Sequence, residues 1–289
     1  MKSETYEIHP IAYMENDFPE KFGIPRQSGL VEELTGRIVF ESVYRNPDAL
    51  RGLEGYDYIW LIWGFDEAKR YGGEKKKISG ESETHKEISA GFSNREQVTV
   101  EDENGAAIRE KEAAVIKKEE RQVREEKVGR IEKFHPTVRP PRLGGNTRMG
   151  VFATRSPFRP NSLGLSSVRL LNIDYDTPDG PALLVGGADL KNGTPIFDIK
   201  PYLPHVDSHP NAAAGFAGKT AAYHLKVAIS EENLNLMPEE KRAALMGILE
   251  NDPRPSYQND PERVYGLNFA GYEVKFRVEG EKLTVIKVE

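Results

Sequence analysis

The sequence contains no cysteine. A chain of 289 residues without thiols folds without disulfides, and a structural zinc site built on thiolates is excluded. The six histidines are spread along the chain, and His205 and His209 are the one pair with a short, ligand-like spacing, so we expect no metal site. The absence of cysteine also fits a reducing, cytoplasmic setting.

Long apolar runs are missing as well. The longest, residues 58–65, is far shorter than the roughly 20 residues that a membrane-spanning helix needs. The first ten residues have no apolar segment of the kind found in signal peptides, so we expect no membrane association. Basic residues are not in surplus either. The formal net charge is -6, and any contact with nucleic acid must therefore be local.

Proline is absent from residues 74–133, where 15 acidic and 14 basic side chains occur. Such a composition cannot build a hydrophobic core. Its second half, residues 106–128, consists of strong helix formers with a thin apolar seam. We interpret the segment as a charged insertion that is helical or disordered, with a coiled coil or an RNA-touching arm as the alternative.

The sequence pattern of the remaining residues predicts consecutive strands that do not alternate with helices. This order favours a mainly β fold, a barrel or a strongly bent mixed sheet, over a doubly wound parallel sheet. Residues 58–65 are expected to form a strand buried on both faces. Further strands are predicted at Met149–Thr154, Leu165–Ile173, Pro181–Leu190 and Ile196–Ile199.

A second, smaller domain is predicted for residues 230–289, after a first domain that covers residues 1–229. Pro238 followed by Glu239 and Glu240 has the pattern of a helix start, because proline suits the first turn and acids interact favourably with the helix dipole. The helix should end before Pro253. Strands at Tyr272–Val278 and Leu283–Val288 then complete a small α+β domain.

Acidic residues are missing from residues 134–173, although the protein as a whole is acidic. The same stretch carries six arginines, whose planar guanidinium groups pair well with phosphate or carboxylate. We interpret them as an anion-facing surface. The alternative is a run of ordinary solvated arginines. The six are Arg139, Arg142, Arg148, Arg155, Arg159 and Arg169.

Two short segments suit the binding of a small molecule. Pro25-Arg26-Gln27 places a rigid proline before two hydrogen-bonding side chains, and Asp189 lies at a predicted strand end just before an Asn192-Gly193 turn. The alternative for the second segment is an ordinary hairpin turn. The spacings of a Rossmann fold, a P-loop and a nucleophile elbow are all absent.

These segments and their neighbours together resemble one family, the TrmO or TsaA-like tRNA methyltransferases. Four segments carry the resemblance: Pro25-Arg26-Gln27, residues 136–146, residues 149–161 and residues 198–204. A fifth segment, Asp252-Pro253-Arg254-Pro255 with Tyr257, is similar to the C-terminal region of that family. The resemblance covers nearly the whole chain outside the charged insertion.

The resemblance implies a single non-Rossmann β-barrel that binds S-adenosylmethionine, and a homodimer whose interface lies close to the cofactor. It implies N6-methylation of threonylcarbamoyl-adenosine next to the tRNA anticodon. It also implies a set of residues that line the cofactor site. These are Pro25, Arg26, Gln27, Arg155, Leu165, Gly187, Ala188, Asp189 and Leu190.

One position departs from the family. Bacterial members commonly have a histidine after the buried strand, whereas this chain has Asp66 and Glu67. An acid there can hold the ribose hydroxyls or the ammonium group of the cofactor, so we assign both residues to the cofactor site.

The substrate side is assigned from charge and stacking. The anionic threonyl group and the phosphates of the anticodon loop should meet basic side chains, and a splayed base should meet an aromatic ring. Asp189 and Asp198 are the candidates for a base that takes the proton of the acceptor nitrogen. The candidate tRNA contacts are Arg139, Arg142, Arg148, Lys200, Arg254 and Tyr257.

Three other functions stay open. A non-catalytic module that binds S-adenosylmethionine would not need the arginines. An RNA-binding protein without catalysis would not need the cofactor residues. A methyltransferase of another small anionic substrate is compatible with the loss of the usual histidine.

Overall fold

Apolar and polar residues alternate along the first strands of the chain, because successive side chains of a strand point to opposite faces. The computed structural model describes residues 6–65, 135–140, 143, 147–220, 223–254, 258 and 260–289. The predicted insertion at residues 74–133 lies outside these ranges.

Six antiparallel strands form a closed barrel in the order β1-β2-β7-β6-β3-β8, and β8 returns to pair with β1. The prediction of a mainly β fold with a single barrel is thereby confirmed. A separate two-stranded hairpin, β4–β5, interrupts the barrel strands in sequence. The strands are β1 (Ala12–Asn16), β2 (Thr35–Phe40), β3 (Tyr58–Gly64), β4 (Thr137–Val138), β5 (Met149–Gly150), β6 (Leu163–Asp174), β7 (Ala182–Gly186) and β8 (Pro195–Pro201).

Strand β3 is buried on one face only. Ile59 and Leu61 are fully buried and Trp63 is 7% exposed, whereas Tyr58 on the opposite face is 39% exposed. The prediction that this strand is buried on both faces is wrong. In a barrel one face of each strand points to the core and the other points outward, so its outward aromatic residues stay partly accessible.

A glycine makes room for the largest side chain at this end of the barrel. Gly164 on β6 lies opposite Trp63 on β3. A Cβ atom at Gly164 would lie 2.3 Å from the indole of Trp63, closer than any real contact allows. The absence of a side chain at residue 164 therefore lets Trp63 fill the space between the two strands.

Tight turns lie in the segments that connect the barrel strands. The predicted strand Met149–Thr154 continues as a strand only to Gly150, and a 3-10 turn follows, Val151–Ala153. Asn46 caps another turn, Pro47–Leu50, by accepting a hydrogen bond from the Asp48 N–H. The remaining turns and the first α-helix are Ser42–Tyr44, Leu53–Gly55, Gly215–Thr220 and α1 (Pro204–Asp207).

The C-terminal part forms a four-stranded sheet in the order β10-β11-β12-β9, in which β9 and β12 are parallel. Helix α3 begins directly after Pro238 with two acids in its first turn and ends before Pro253, as predicted. The sheet also includes β9, which precedes the predicted boundary at residue 230. The elements are β9 (Lys226–Ala228), α2 (Glu231–Asn235), α3 (Glu239–Glu250), β10 (Tyr265–Phe269), β11 (Tyr272–Glu279) and β12 (Lys282–Val288).

Two hydrophobic cores hold these elements. The first fills the barrel. The second lies between α3 and the C-terminal sheet, and it includes Phe18, Val31 and Leu34 from the loop that joins β1 to β2. Each helix in the described ranges is too short or too polar to cross a bilayer.

Candidate functional site

The end of β7 and the residues after it form one wall of the candidate site. Gly187, with φ +71°, turns the chain out of the strand, and Ala188 and Leu190 are buried in the barrel core. The carboxylate of Asp189, between them, accepts a hydrogen bond from Ser166 Oγ on the core-facing side of β6. We therefore expect Ala188 and Leu190 to meet a ligand through their backbone and Asp189 to meet it through its carboxylate.

The loop that carries Pro25-Arg26-Gln27 lies against this wall. The N–H of Gly29 donates to the carbonyl oxygen of Gly187 at 2.8 Å, and the backbone N–H of Ser28 hydrogen-bonds to the carboxylate of Asp189. A Cβ atom at Gly187 would lie 3.3 Å from the backbone of Gly29. Both the positive φ and this close approach require glycine at residue 187.

Asp189 receives a chain of hydrogen bonds from inside the barrel. The indole Nε1 of Trp63 donates to Ser166 Oγ at 2.9 Å, and Ser166 Oγ donates to Asp189 Oδ1 at 2.6 Å. Ser166 is 1% exposed. The chain Trp63–Ser166–Asp189 fixes the orientation of the carboxylate from below, as expected for a fully satisfied buried polar network.

Burial raises the pKa of the Asp189 carboxyl above its ordinary value. The hydrogen bond from Ser166, the positive charge of Arg155 and the N–H of Ser28 act in the opposite direction without cancelling the effect of burial. A carboxylate with a raised pKa that lies beside a candidate binding loop is a candidate proton acceptor.

Arg155 connects the loop with the end of β7. Its guanidinium donates to Gln27 Oε1 at 2.7 Å, and its charge also acts on Asp189. The structure therefore brings together Gln27, Arg155 and Asp189, which the sequence assigned to the cofactor from three distant segments. Pro25 is buried in the same loop, and Arg26 donates to the Arg254 carbonyl oxygen at 2.8 Å.

Leu165 lies on the other side of the sheet from this cluster. Its neighbours Gly164 and Ser166 are buried, whereas Leu165 is 55% exposed on the outer face of β6. The side chains of Leu165 and Ser166 therefore lie on opposite faces of β6. Asp66 and Glu67 lie outside the described residues.

Asp198, the second candidate base, is placed differently from Asp189. It lies on β8 and pairs in register with Ile62 on β3. Its carboxylate accepts from the N–H of Ile199 at 2.9 Å and lies 3.0 Å from the ammonium of Lys200. Its side chain is 44% exposed, so it lacks the burial that distinguishes Asp189.

Two of the candidate tRNA contacts, Arg139 and Arg148, directly flank the paired strands β4 and β5. Val138 pairs with Met149, so the register, continued by one residue, sets Arg139 opposite Arg148. Both arginines are exposed, and Arg148 donates to Thr137 Oγ1 at 3.0 Å. Like charges on facing strands repel each other and favour a bound anion between them.

The other candidate tRNA contacts are separate. Lys200 is on the outer face of the barrel beside Trp60, and 61% of its side chain is exposed. Arg254 is 6% exposed, and its guanidinium pairs with the carboxylate of Asp252 through Nε at 2.9 Å and a terminal nitrogen at 3.0 Å. Arg142 and Tyr257 lie outside the described residues.

Sequence reasoning missed Ser166 and Trp63. A signal for Ser166 exists, because the alternation in residues 163–168 places a small polar residue at a core-facing position of β6. Its partners depend on the register of β3 against β6, which the sequence does not reveal. In the described ranges no three histidine or acidic side chains are grouped to hold a metal ion.

Comparison with family models assigns the chain. The model described as tRNA-methyltransferase O N-terminal domain matches residues 13–98 and 115–208, and that of the TrmO C-terminal domain matches residues 222–289. The chain belongs to the TrmO family. The resemblance drawn from the motifs is confirmed, and an enzyme is confirmed at the level of the family.

Individual relatives agree. The chain is 51% identical over 147 residues to the tRNA (adenine(37)-N6)-methyltransferase of Eikenella corrodens, covering 50% of this chain and 82% of the relative. It is 31% identical to the enzyme of the same name from Escherichia coli (strain K12), covering 99% and 98%. A putative S-adenosylmethionine-dependent methyltransferase, RcsF, from Pseudomonas aeruginosa is 30% identical, covering 93% and 91%.

The fold of the TrmO family is also found in a solved structure. The crystal structure of TrmO from Pseudomonas aeruginosa superposes with a TM-score of 0.62 at 24% identity, covering 99% of this chain and 100% of that one. At this identity the likeness supports the fold.

Proposed function

We propose that this chain transfers a methyl group from S-adenosylmethionine to the N6 nitrogen of threonylcarbamoyl-adenosine, next to the anticodon of a tRNA. The observation that carries the proposal is the buried carboxylate of Asp189, tied to the Pro25–Gln27 loop through Ser28 and to Arg155 by charge. Its relatives named tRNA (adenine(37)-N6)-methyltransferase support the class of substrate.

The groups around Asp189 match the chemistry of S-adenosylmethionine. That cofactor offers an ammonium and hydroxyls that pair with a carboxylate, and a carboxylate that pairs with a guanidinium. Asp189 supplies the first kind of partner and Arg155 the second, while Gln27 adds an amide. When bound, the cofactor supplies a methyl group on a positively charged sulfur.

The residues of the chain then act mainly by positioning. Displacement at a methyl carbon is in line, so the rate depends on the alignment of the acceptor nitrogen and on the exclusion of water. The barrel fixes Asp189 through Ser166 and Trp63, and the glycine at residue 187 lets the loop close against the strand end.

Asp189 is also placed to take the proton that the acceptor nitrogen loses. A base whose pKa is raised toward the working pH both stays partly ionised and accepts a proton readily. Of the two candidates, Asp189 has this property, and Asp198 is engaged with Lys200 on the outer face.

The arginine pair of the hairpin fits the substrate. Threonylcarbamoyl-adenosine carries a carboxylate, and the anticodon loop adds phosphates close to it, so several negative charges must be met in a small volume. Arg139 and Arg148 directly flank the pairing of β4 with β5, and we propose that they share such an anion. Lys200 adds a further cation on the barrel surface.

A homodimer in the cytoplasm completes the proposal. Exposed apolar side chains lie close in sequence to Arg155 and on β6, namely Phe152 at 70%, Phe158 at 48% and Leu165 at 55% exposure. Large exposed apolar side chains on one segment are typical of protein interfaces. Size-exclusion chromatography followed by light scattering should give twice the mass of one chain. The mass of a monomer would contradict the proposed homodimer.

The test of the function is a transfer assay. The protein is incubated with S-adenosylmethionine labelled in the methyl group and with tRNA that carries or lacks threonylcarbamoyl-adenosine, and the nucleosides are then separated. We expect label only in N6-methyl threonylcarbamoyl-adenosine. Label in unmodified adenosine would overturn the assigned substrate, and no label in either tRNA would overturn the proposal.

A further inference from the structure

The loop between β1 and β2, residues 17–34, packs with the C-terminal sheet. Phe18, Val31 and Leu34 are between 1% and 5% exposed, and they belong to the same buried cluster as α3 and strands β10–β12. The rings of Phe18 and Phe269 lie 5.3 Å apart. The apolar anchors of the loop that carries Arg26 and Gln27 therefore lie in the C-terminal core.

Polar contacts join the same two parts of the chain at both ends of the loop. The ammonium of Lys241 pairs with the carboxylate of Asp17. Asn268 donates to Glu20 at 2.7 Å, and Asn251 donates to the carbonyl oxygen of Leu30 at 3.4 Å. The conformation of the loop consequently depends on residues more than 200 positions downstream.

A turn of the C-terminal part also holds the middle of the loop. A guanidinium nitrogen of Arg26 donates to the carbonyl oxygen of Arg254 at 2.8 Å. Asp252, two residues before Arg254, accepts from the Arg254 backbone N–H at 3.2 Å and from its guanidinium at 2.9 and 3.0 Å. Tyr223 OH donates to the same carboxylate at 3.2 Å.

The paired side chains of this turn are largely closed to solvent. The side chains of Arg254 and Asp252 are 6% and 12% exposed. Asp252 has φ +51°, a left-handed conformation that aspartate tolerates better than most residues but that still needs support from its surroundings. The paired side chains provide that support, so the Arg254 carbonyl oxygen has a fixed direction.

We infer that Asp252 and Arg254 are positioning residues for the cofactor site: their ion pair holds the turn whose carbonyl oxygen orients the Arg26 guanidinium toward bound S-adenosylmethionine. This rests on the proposed function, in which the Pro25–Gln27 loop binds that cofactor. It gives Arg254 a role other than the tRNA contact expected from the sequence. A direct contact requires an accessible guanidinium, whereas this one is buried against Asp252.

The test is a double-mutant cycle on the dissociation constant of S-adenosylmethionine, measured by calorimetry on the full chain. The four proteins are the unchanged chain, Arg26→Ala, Asp252→Ala and the double variant. We expect Asp252→Ala to weaken binding about 10-fold when Arg26 is present and by less than about 2-fold when Arg26 is absent, because coupled residues are not additive.

Two further variants separate positioning from general destabilisation. Asp252→Asn keeps an oxygen acceptor and tolerates positive φ, so it should bind the cofactor with an affinity between those of the unchanged chain and Asp252→Ala, and it replaces Asp252→Ala if that variant does not fold. Ser230→Ala removes the N-cap of α2 in the same part of the chain, where Ser230 Oγ accepts from the Asn233 N–H. It should lower the melting temperature and leave cofactor affinity unchanged.

The outcomes distinguish this inference from the proposed function. If the unchanged chain binds S-adenosylmethionine and Asp252→Ala weakens binding equally with and without Arg26, or not at all, the inference is overturned and the function stands. Loss of tRNA affinity with unchanged cofactor affinity would likewise overturn it and support a direct tRNA contact. If the unchanged chain does not bind S-adenosylmethionine, both fail.

Discussion

The two halves of the candidate site differ in how their charged groups are held. On the cofactor side, Asp189 is largely buried and accepts a hydrogen bond from Ser166, which itself accepts one from Trp63. It lies against a loop that is held by backbone contacts. On the tRNA side, Arg139 and Arg148 are exposed on a two-residue pairing. In the proposed function, the reacting groups are therefore held in place before the substrate binds, whereas the exposed arginines are ordered by the anionic substrate.

The largest effect is expected on the buried side. Asp189→Asn should lower kcat on the order of 100-fold or more, because the amide cannot accept the proton. The activity of the unchanged enzyme should increase as pH rises through the raised pKa of Asp189, and the variant should lack this increase. Turnover measured across pH checks both points.

The control for this change is Asp198→Asn, which alters an exposed carboxylate on the outer face. We expect it to change kcat by less than about 3-fold, as is usual for surface groups outside the reacting cluster. Equal losses in the two variants would show that burial does not distinguish the catalytic carboxylate.

The exposed side should respond through tRNA binding alone. Replacing both Arg139 and Arg148 by alanine should raise KM for tRNA about 10-fold and reduce the salt dependence of tRNA binding by a slope of about 2, one for each lost phosphate contact. Cofactor affinity should not change. Filter binding at several salt concentrations measures the slope.

A matched control removes two exposed arginines elsewhere, Arg37 and Arg51, which are 44% and 79% exposed. It changes the net charge by the same amount. A similar rise in KM would mean that overall charge, and not the hairpin, recognises the tRNA.

The contact between the loop and the strand end is tested at Gly187. Gly187→Ala places a side chain at φ +71° and 3.3 Å from Gly29, so we expect a loss of about 1–2 kcal/mol in the free energy of unfolding together with weaker cofactor binding. Gly193→Ala has the same strain, φ +78°, but meets nothing within 4 Å. Only the first variant should lose cofactor affinity, and equal binding by both would argue against a fitted loop.

The smallest expected effect is on the pH dependence of stability. Because burial raises the pKa of Asp189 above 3.8, its contribution to stability is fully present at low pH and declines as pH rises through the pKa of the folded state. Asp189→Asn removes this decline. Urea unfolding at acidic and neutral pH should show the variant gaining stability relative to the unchanged chain as pH rises, and the opposite trend would contradict the burial of the carboxylate.

The sequence predicts the parts of this molecule that depend on local pattern. Apolar runs between turn signals predict strands β6, β7 and β8 of the barrel, and Pro238 with its two acids predicts the start of α3. The motifs predict that Gln27, Arg155 and Asp189 share one site. Long-range register is not encoded locally, so neither the Trp63–Ser166–Asp189 chain nor the packing of Phe18 against Phe269 could be expected. Arg254 looked available for RNA because its partner depends on the left-handed backbone at Asp252.

The distance along the chain between the loop and its anchors also bears on biosynthesis. Glu20 and its partner Asn268 are separated by 248 positions, which at roughly 5–20 residues per second takes the ribosome about 12 to 50 s to translate. During that interval Phe18, Val31 and Leu34 have left the ribosome without the core that buries them. Nascent chains whose translation pauses before β10 should therefore expose an apolar segment that chaperones bind. The ability to bind a methyl donor should arise only when translation is nearly finished.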